Sequence, residues 1–396
     1  MSGSSAHGIH GTLLSLGSRP LEMVDGPLTA HLFENLESRR PLIALALGDL
    51  RSGAPLLARV HSSCVTSEAY GGVDCDCASQ LRVALAEISR AGRGVVFYLM
   101  QEGRGAGFAA KARDRMLVQA SGHRLTTFEA YEHMGLGKDL RRYDEVGFAC
   151  RLLGIRAPLL LMSNNPEKAS AIEGSGVAVD EIRPLPSLDS PFNLHYLASK
   201  RRSGHALEEG DDATRAADLP EPVELFEPYA LPDDPAIIHV ASYLLPVAGG
   251  LEACPPSAAH EIAWLRVDVY FDSESGRERV VLTCGDLGRQ APLVYLHEED
   301  LFDRFPLRRP GPSRRLWAAA LRRMVGHGAG CAVFLDAEGL HGAIADLESL
   351  AALVAHHLPR RHAHPIIDRK SGAAAFCDVL VARGVTIGRR ELLDER

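Results

Sequence analysis

Three cysteines, Cys64, Cys75 and Cys77, fall at C-x10-C-x-C spacing. Thiolates are soft ligands, and three of them hold a divalent ion while leaving a fourth position for water, whose pKa such an ion lowers toward neutrality. Immediately upstream runs Arg59-Val60-His61-Ser62-Ser63, and downstream runs Gln101-Glu102-Gly103-Arg104-Gly105-Ala106-Gly107. Glycines let backbone N–H groups approach an anion closely, and a guanidinium offers paired donors. Lys168, at the start of an expected helix, adds a further cation. The set reads as a metal on three protein ligands beside an anion pocket, which is hydrolytic chemistry. A closed structural site, with a fourth ligand such as His61, is the competing reading.

Those residues need positioning elements. Pro41–Leu47 and Pro55–Val60 are apolar runs parted by the polar turn 48–53, so residues 10 to 60 read as β-rich. Leu81, Leu85 and Ile88 recur at helical spacing and end at Gly92 and Gly94. The apolar strand Val95–Leu99 then delivers the chain into the Gly/Arg loop. Helices are expected over about 109–119 and 144–153, and the strand Leu159–Met162 runs into Ser163-Asn164-Asn165-Pro166, a turn that opens a helix. Apolar strands alternating with amphipathic helices indicate a layered α/β domain.

At 396 residues the chain has room for more than one core. Its net charge of −8 argues against a partner that is a nucleic acid polymer or an anionic membrane, so phosphate chemistry must use a local cluster of cations. No leader-like start or membrane-length apolar run is present, and a cytoplasmic location is expected. Of the eight cysteines, Cys150, Cys254, Cys284, Cys331 and Cys377 stand singly among apolar residues and read as small buried hydrophobes. Gly135-Leu136-Gly137-Lys138 lacks the spacing of a phosphate loop.

Periodic patterning dissolves after residue 200, giving expected domains at 1–205 and 236–396 joined by a flexible linker at 206–235. The second domain repeats the first. Gly48-Asp49-Leu50 with Ala54-Pro55-Leu56 reappears as Gly285-Asp286-Leu287 with Ala291-Pro292-Leu293. Gly94–Leu99 reappears as Gly330–Leu335, and Glu102-Gly103 as Glu338-Gly339, at an offset of about 236 residues. The chemistry does not reappear: Leu296, Leu301 and Leu340 stand opposite Arg59, Cys64 and Arg104. The expected fold is therefore a layered mixed-sheet α/β domain, duplicated, with a degenerate second copy. The pair His362 and His364 reads as a solvated surface.

The ordered series Arg-Val-His-Ser-x-Cys, Cys-Asp-Cys followed by Gln80-Leu81, Gln-Glu-Gly-Arg-x-x-Gly and Asn-Asn-Pro-x-Lys resembles GTP cyclohydrolase II over roughly residues 8 to 207. The resemblance implies that GTP is the substrate and that its imidazole ring is opened at C8 with loss of pyrophosphate. It implies Zn2+ on Cys64, Cys75 and Cys77, and Mg2+ with the phosphates. Nucleotide contacts are implied for Arg59, Val60, His61, Ser62, Ser63, Gln80, Glu102, Gly103, Arg104, Thr127, Ser163 and Lys168. Asp139 and Arg141 take the places of the family's catalytic Asp-x-Arg pair. Arginine is a poor nucleophile because its pKa is so high, so Arg141 reads equally well as a stabiliser of phosphate charge.

The sequence also departs from that pattern. Arg115 stands where Lys-x-x-Ala-Tyr-x-Leu-Gln carries its tyrosine, a position associated with removal of the formyl group. Asp74 stands where arginine usually precedes Cys-Asp-Cys, and Ser63 where glutamate is usual. The product is thus expected to be either the formylamino-pyrimidine, if Arg115 blocks the last step, or the ordinary diamino-pyrimidine. The resemblance implies two-fold dimers, so the second half could complete a pseudo-dimer in cis, with a homodimer as the alternative. A non-catalytic GTP-binding regulator with a structural zinc is the reading from another class.

Overall fold

The computed structural model describes residues 8–187, 189–207, 216–248, 262–306, 308, 311–335, 345–368 and 372–393. Cys254, Glu338, Gly339, Leu340 and part of the expected linker, 208–215, lie outside the described residues.

The first half builds one sheet from β1 (Ile9–His10), β2 (Leu13–Leu21), β3 (Leu28–Asn35), β4 (Pro41–Leu47), β5 (Leu56–Ser62), β6 (Gly94–Leu99), β7 (Leu159–Met162) and β8 (Val179–Arg183). Their spatial order is β1-β2-β3-β4-β6-β5-β7-β8. The first four strands and β6 pair antiparallel, whereas β6, β5, β7 and β8 run parallel. Strands buried on both faces read as continuous apolar runs, which is why Val95–Leu99 is legible without alternation. Helices 144–153 and 166–174 cover one face and helix 77–91 covers the other.

The second half holds β9 (Tyr229–Leu231), β10 (Asp234–Ala248), β11 (Ile262–Asp272), β12 (Arg277–Gly285), β13 (Leu293–Glu298), β14 (Ala329–Leu335), β15 (His362–Ile367) and β16 (Thr386–Ile387), with β17 (Glu391–Leu392) also on β15. The order is β9-β10-β11-β12-β14-β13-β15-β16, so each strand repeats the position of the one eight places earlier, and the parallel and antiparallel pairings repeat too. The repeated glycines have the same packing reasons. Gly48 and Gly285 both take positive φ, and a Cβ on either would collide with the carbonyl of the helix-ending glycine, Gly92 or Gly328. Gly94 and Gly330 each lie under the preceding helix, against Ile88 and Met324. The chain is a duplicated mixed-sheet α/β protein.

Helices 108–120, 127–133 and 194–202 of the first half have no counterpart among the described residues of the second. Helix 108–120 lies between the halves. Phe108, Ala112 and Met116, four residues apart, pack with Ala241, Tyr243, Leu245 and Val267 of the second sheet. Lys111, Asp114 and Arg115 therefore face the other way. Glu278 of β12 accepts from the N–H groups of Phe108 (3.1 Å) and Ala109 (2.7 Å) at this helix's start. The loop before the paired cysteines is held likewise: Val73 N donates to Pro246 O (2.9 Å), and Gly72 pairs with Val247. A Cβ on Gly72 would come within 2.7 Å of Leu245 Cδ1 and 2.8 Å of Thr66 O. Among the residues joining the halves, Val223 and Phe226 pack on the second core, and Arg113 donates to Phe226 O at 2.5 Å.

Candidate metal and anion site

The three cysteines converge from three places. Cys64 follows β5, Cys75 ends the loop held by β10, and Cys77 begins helix 77–91. Their sulfurs all lie within 4.8 Å of one another, with Cys64 and Cys75 at 3.7 Å. No His, Asp or Glu joins them among the described residues. His61 spends its Nε2 on Glu68 Oε1 at 2.8 Å and stacks on Tyr98, so it is a buried partner of Glu68 rather than a fourth ligand. Burial lowers its pKa against the opposing pull of Glu68.

The sulfurs share hydrogen bonds. Those from Cys75 and Cys77 push the Cys64 thiol well below its usual range, and Lys111 assists. Cys75 is raised well above it for the converse reason, its proton being held toward Cys64. Lys111 Nζ donates to Cys64 Sγ (3.1 Å), Thr66 Oγ1 (3.0 Å) and Glu102 Oε1 (2.8 Å). Two buried thiols and one partly buried, with a lysine on one of them, form a donor set that a divalent cation would complete by replacing protons.

A cavity of about 490 Å³ opens over the sulfurs, lined in part by Ser63, Glu102, Gly103, Arg115, Thr127 and Tyr131. It continues past Ser62, Arg104, Arg141 and Tyr196, which line both spaces, into a cleft of about 600 Å³. The cleft carries the cations Arg59, Arg104, Arg141, Lys168 and Lys200. Arg59 donates to Gln80 Oε1 (2.7 Å) and Met162 O (2.9 Å), while Gln80 and Lys200 both bond Asp76, the residue between the paired cysteines. Burial first, then Arg141 and Arg59, depresses Lys168 well below the ordinary lysine range. Arg104 sits at φ 54° in the Gly103–Gly105 turn and stacks 3.8 Å over the Phe128 ring. The turn needs Gly105 because a Cβ there would meet the Leu140 carbonyl at 2.8 Å.

The sequence-predicted residues thus separate by role. Arg59, His61, Gln80, Ser163 and Lys168 line the cleft, Ser63, Glu102, Gly103, Thr127 and Arg115 line the sulfur cavity, and Ser62, Arg104 and Arg141 line both. Val60 is wholly buried and offers only its carbonyl, which accepts from Lys168 at 3.0 Å. Asp139 is tied to Arg141 through both carboxylate oxygens and reaches the cleft through that arginine. Thr127 gives its hydroxyl to Asp114 at 2.6 Å. Arg115 pairs with Asp74 and lies 5.0 Å over Tyr196.

Sequence reading missed Lys111, Asp114, Asp76, Tyr196 and Lys200. Lys111, Asp114 and Asp76 sit inside motifs already singled out, but nothing about their types distinguished ligand from support. Tyr196 and Lys200 come from helix 194–202, where their spacing of four residues is the one available signal.

Comparison with known proteins bears on the first half. The family model for GTP cyclohydrolase II matches residues 15–184. A GTP cyclohydrolase-2 from Teredinibacter turnerae is 39% identical over 184 residues, which is 46% of this chain and 90% of that protein. One from Azotobacter vinelandii is 42% identical over 183 residues, 46% of this chain and 86% of its own length. A solved two-domain 3,4-dihydroxy-2-butanone 4-phosphate synthase from A. baumannii aligns with a TM-score of 0.26 at 16% identity, covering 45% of this chain and 41% of that one, too little to bear on fold or function.

Proposed function

Since the chain belongs to the GTP cyclohydrolase II family and is a hydrolase of that type, we propose that it opens the guanine ring of GTP at C8 over zinc held by Cys64, Cys75 and Cys77, and that its product keeps the formyl group. The observation that carries the first part is the three-sulfur cluster on the floor of a cavity continuous with a five-cation cleft. Zinc on those sulfurs would supply a nucleophilic water near neutral pH and polarise the bond being hydrolysed.

The chain's own residues do the rest. Arg59, Arg104, Arg141, Lys168 and Lys200 oppose the triphosphate charge, which Mg2+ would also offset, while a water oxygen bonds to the α-phosphorus as the bond to the departing pyrophosphate breaks. Asp139 holds the Arg141 guanidinium in place, which supports charge stabilisation by Arg141. Lys111 fixes Glu102 at the cavity wall, and Glu102 Oε2 in turn accepts from Val65 N at 2.7 Å, next to Cys64. Burial raises the Glu102 pKa, so this carboxyl is a candidate for moving a proton at the reacting carbon.

Retention of the formyl group is supported by the neighbourhood of Arg115. The family's tyrosine is absent there, and the replacing guanidinium is tied to Asp74, itself a departure from the family pattern. A side chain clamped in an ion pair offers no phenolic hydroxyl to the second hydrolysis. The second half, repeating the strand order of the first and covering helix 108–120, supports a pseudo-dimer within one chain.

Zinc analysis together with pyrophosphate release on adding GTP tests the reading. Zinc bound with no pyrophosphate and no ring opening would leave a GTP-binding regulator instead.

A further inference from the structure

Behind Arg115 lies a second cavity, of about 710 Å³, that the reaction above does not use. Its walls come from both halves: helix 108–120 and helix 194–202 on one side, Pro246 and Trp264 on the other. Arg115, Thr127 and Tyr196 line both this crevice and the sulfur cavity, so they are the partition between the two.

The lining is aromatic and largely uncharged. Phe192 and Trp264 meet edge to face with ring centres 6.0 Å apart, and His123 stacks flat on His195 at 4.0 Å. Burial, followed by His195 and Arg115, lowers the His123 pKa to about 4, so that ring is neutral at neutral pH. Asp74 and Arg115 neutralise each other, and Arg202 adds a cation. Two polar atoms on this wall have no hydrogen-bond partner: Asp74 Oδ1, on a residue only 8% exposed, and His123 Nδ1. A buried carboxylate oxygen left without a donor is costly, and such atoms mark places where a ligand's N–H completes the structure. Flat aromatic walls set the shape of that ligand and the unpartnered oxygen sets its edge.

We propose that this crevice is a second binding site, for a neutral planar nitrogen heterocycle that donates an N–H to Asp74 and lies against Trp264 and the His123–His195 stack. Its size suits one or two fused rings. Binding engages the oxygen beside the one that holds Arg115, so occupancy acts on the sulfur cavity through the Asp74–Arg115 pair. The binding itself stands on the crevice alone; the effect on turnover rests on the hydrolase reading above, and is expected in kcat rather than in KM for GTP.

The full zinc-loaded chain carries its own reporter, because Trp264 lines the crevice whereas Trp317, the other tryptophan, is buried in the core. Titration with 2,4-diamino-6-hydroxypyrimidine should quench Trp264 saturably, and calorimetry should give the same affinity. An unsubstituted pyrimidine, which has no N–H, should bind at least about tenfold more weakly, as should the amine-bearing probe to Asp74→Asn. Trp264→Leu and His123→Ala should each weaken the probe by a similar factor in calorimetry while leaving GTP turnover as it was. Having two such variants keeps the test decisive if one folds poorly. Absence of saturable binding at millimolar probe would overturn the proposal. So would affinity unchanged in all three variants, or a probe that only raises KM for GTP, since it would then occupy the sulfur cavity. Because quenching needs no turnover, failure of the hydrolase reading would leave this result interpretable.

Discussion

Arg115 Nη2, at the wall of the sulfur cavity, lies 3.3 Å from Asp74 Oδ2 in the crevice behind it, with both side chains about nine-tenths buried. Two of the positions read from the sequence as departures from the family's pattern therefore form one ion pair, between the cysteine loop and helix 108–120. Each charge is offset by the other across that contact.

That pairing gives the first prediction. Arg115→Tyr should restore formate release and also strand the Asp74 carboxylate, costing about 3 kcal/mol of stability. The double substitution Asp74→Arg with Arg115→Tyr should release formate and melt above the single variant. Formate assays with thermal denaturation of both variants check this; a double variant no more stable than the single would break the link between the positions.

Replacing any one sulfur should remove the metal. Cys75→Ser is expected to lower zinc from about one per chain to a small fraction and to abolish pyrophosphate release. Cys331→Ser, in the second core, should leave both intact at some cost in stability. Metal analysis of the purified variants distinguishes the outcomes.

The pH behaviour of GTP binding should carry the signature of Lys168. Its pKa is depressed in the free protein by burial and by Arg141 and Arg59. A lysine of this kind penalises the fold fully below its depressed value, and the penalty fades as pH rises from there toward the ordinary lysine value. Triphosphate in the cleft raises the pKa again, so binding should take up a proton and weaken as pH rises through the free-protein value. Calorimetry in buffers of different ionisation enthalpy should show that uptake, and Lys168→Met should remove it.

The second half should act on the site through Glu278. Glu278→Ala removes the acceptor from the Phe108 and Ala109 N–H groups and should cost about 1 kcal/mol. Because the same helix carries Lys111 and Arg115, kcat should fall more than KM rises, and Glu278→Gln should recover part of the loss. Steady-state kinetics with thermal melts check it; loss of stability with unchanged kcat would make Glu278 structural only.

Much of this was legible in the chain. Strands buried on both faces, such as Val95–Leu99, announce themselves by composition, and Asn165-Pro166 announces its helix by capping, with the Asn165 side chain accepting from Glu167 N. The repeat was legible because Gly48 and Gly285 lie against a helix-ending carbonyl, and Gly94 and Gly330 against a side chain of the preceding helix, where a Cβ has no room. The sulfur cluster was legible from spacing alone. What local pattern could not supply was the long-range support. Lys200 reaches Asp76 across 124 residues, and Glu278 reaches Ala109 across 169. Helix 108–120 was legible as a helix, but its burial between two sheets was not, since its apolar stripe is matched by a partner that lies beyond residue 229. The Asp74–Arg115 pair was visible as two oddities and became one feature only in three dimensions.

The most direct measurement is mass spectrometry of the product formed from GTP by the zinc-loaded full chain, with formate and pyrophosphate followed in parallel. The expected result is a ring-opened nucleoside monophosphate that retains its formyl group, with pyrophosphate released and no formate. Intact GTP in the presence of bound zinc would contradict the hydrolytic role of the three-cysteine site, and a deformylated product with free formate would contradict the role given to Arg115.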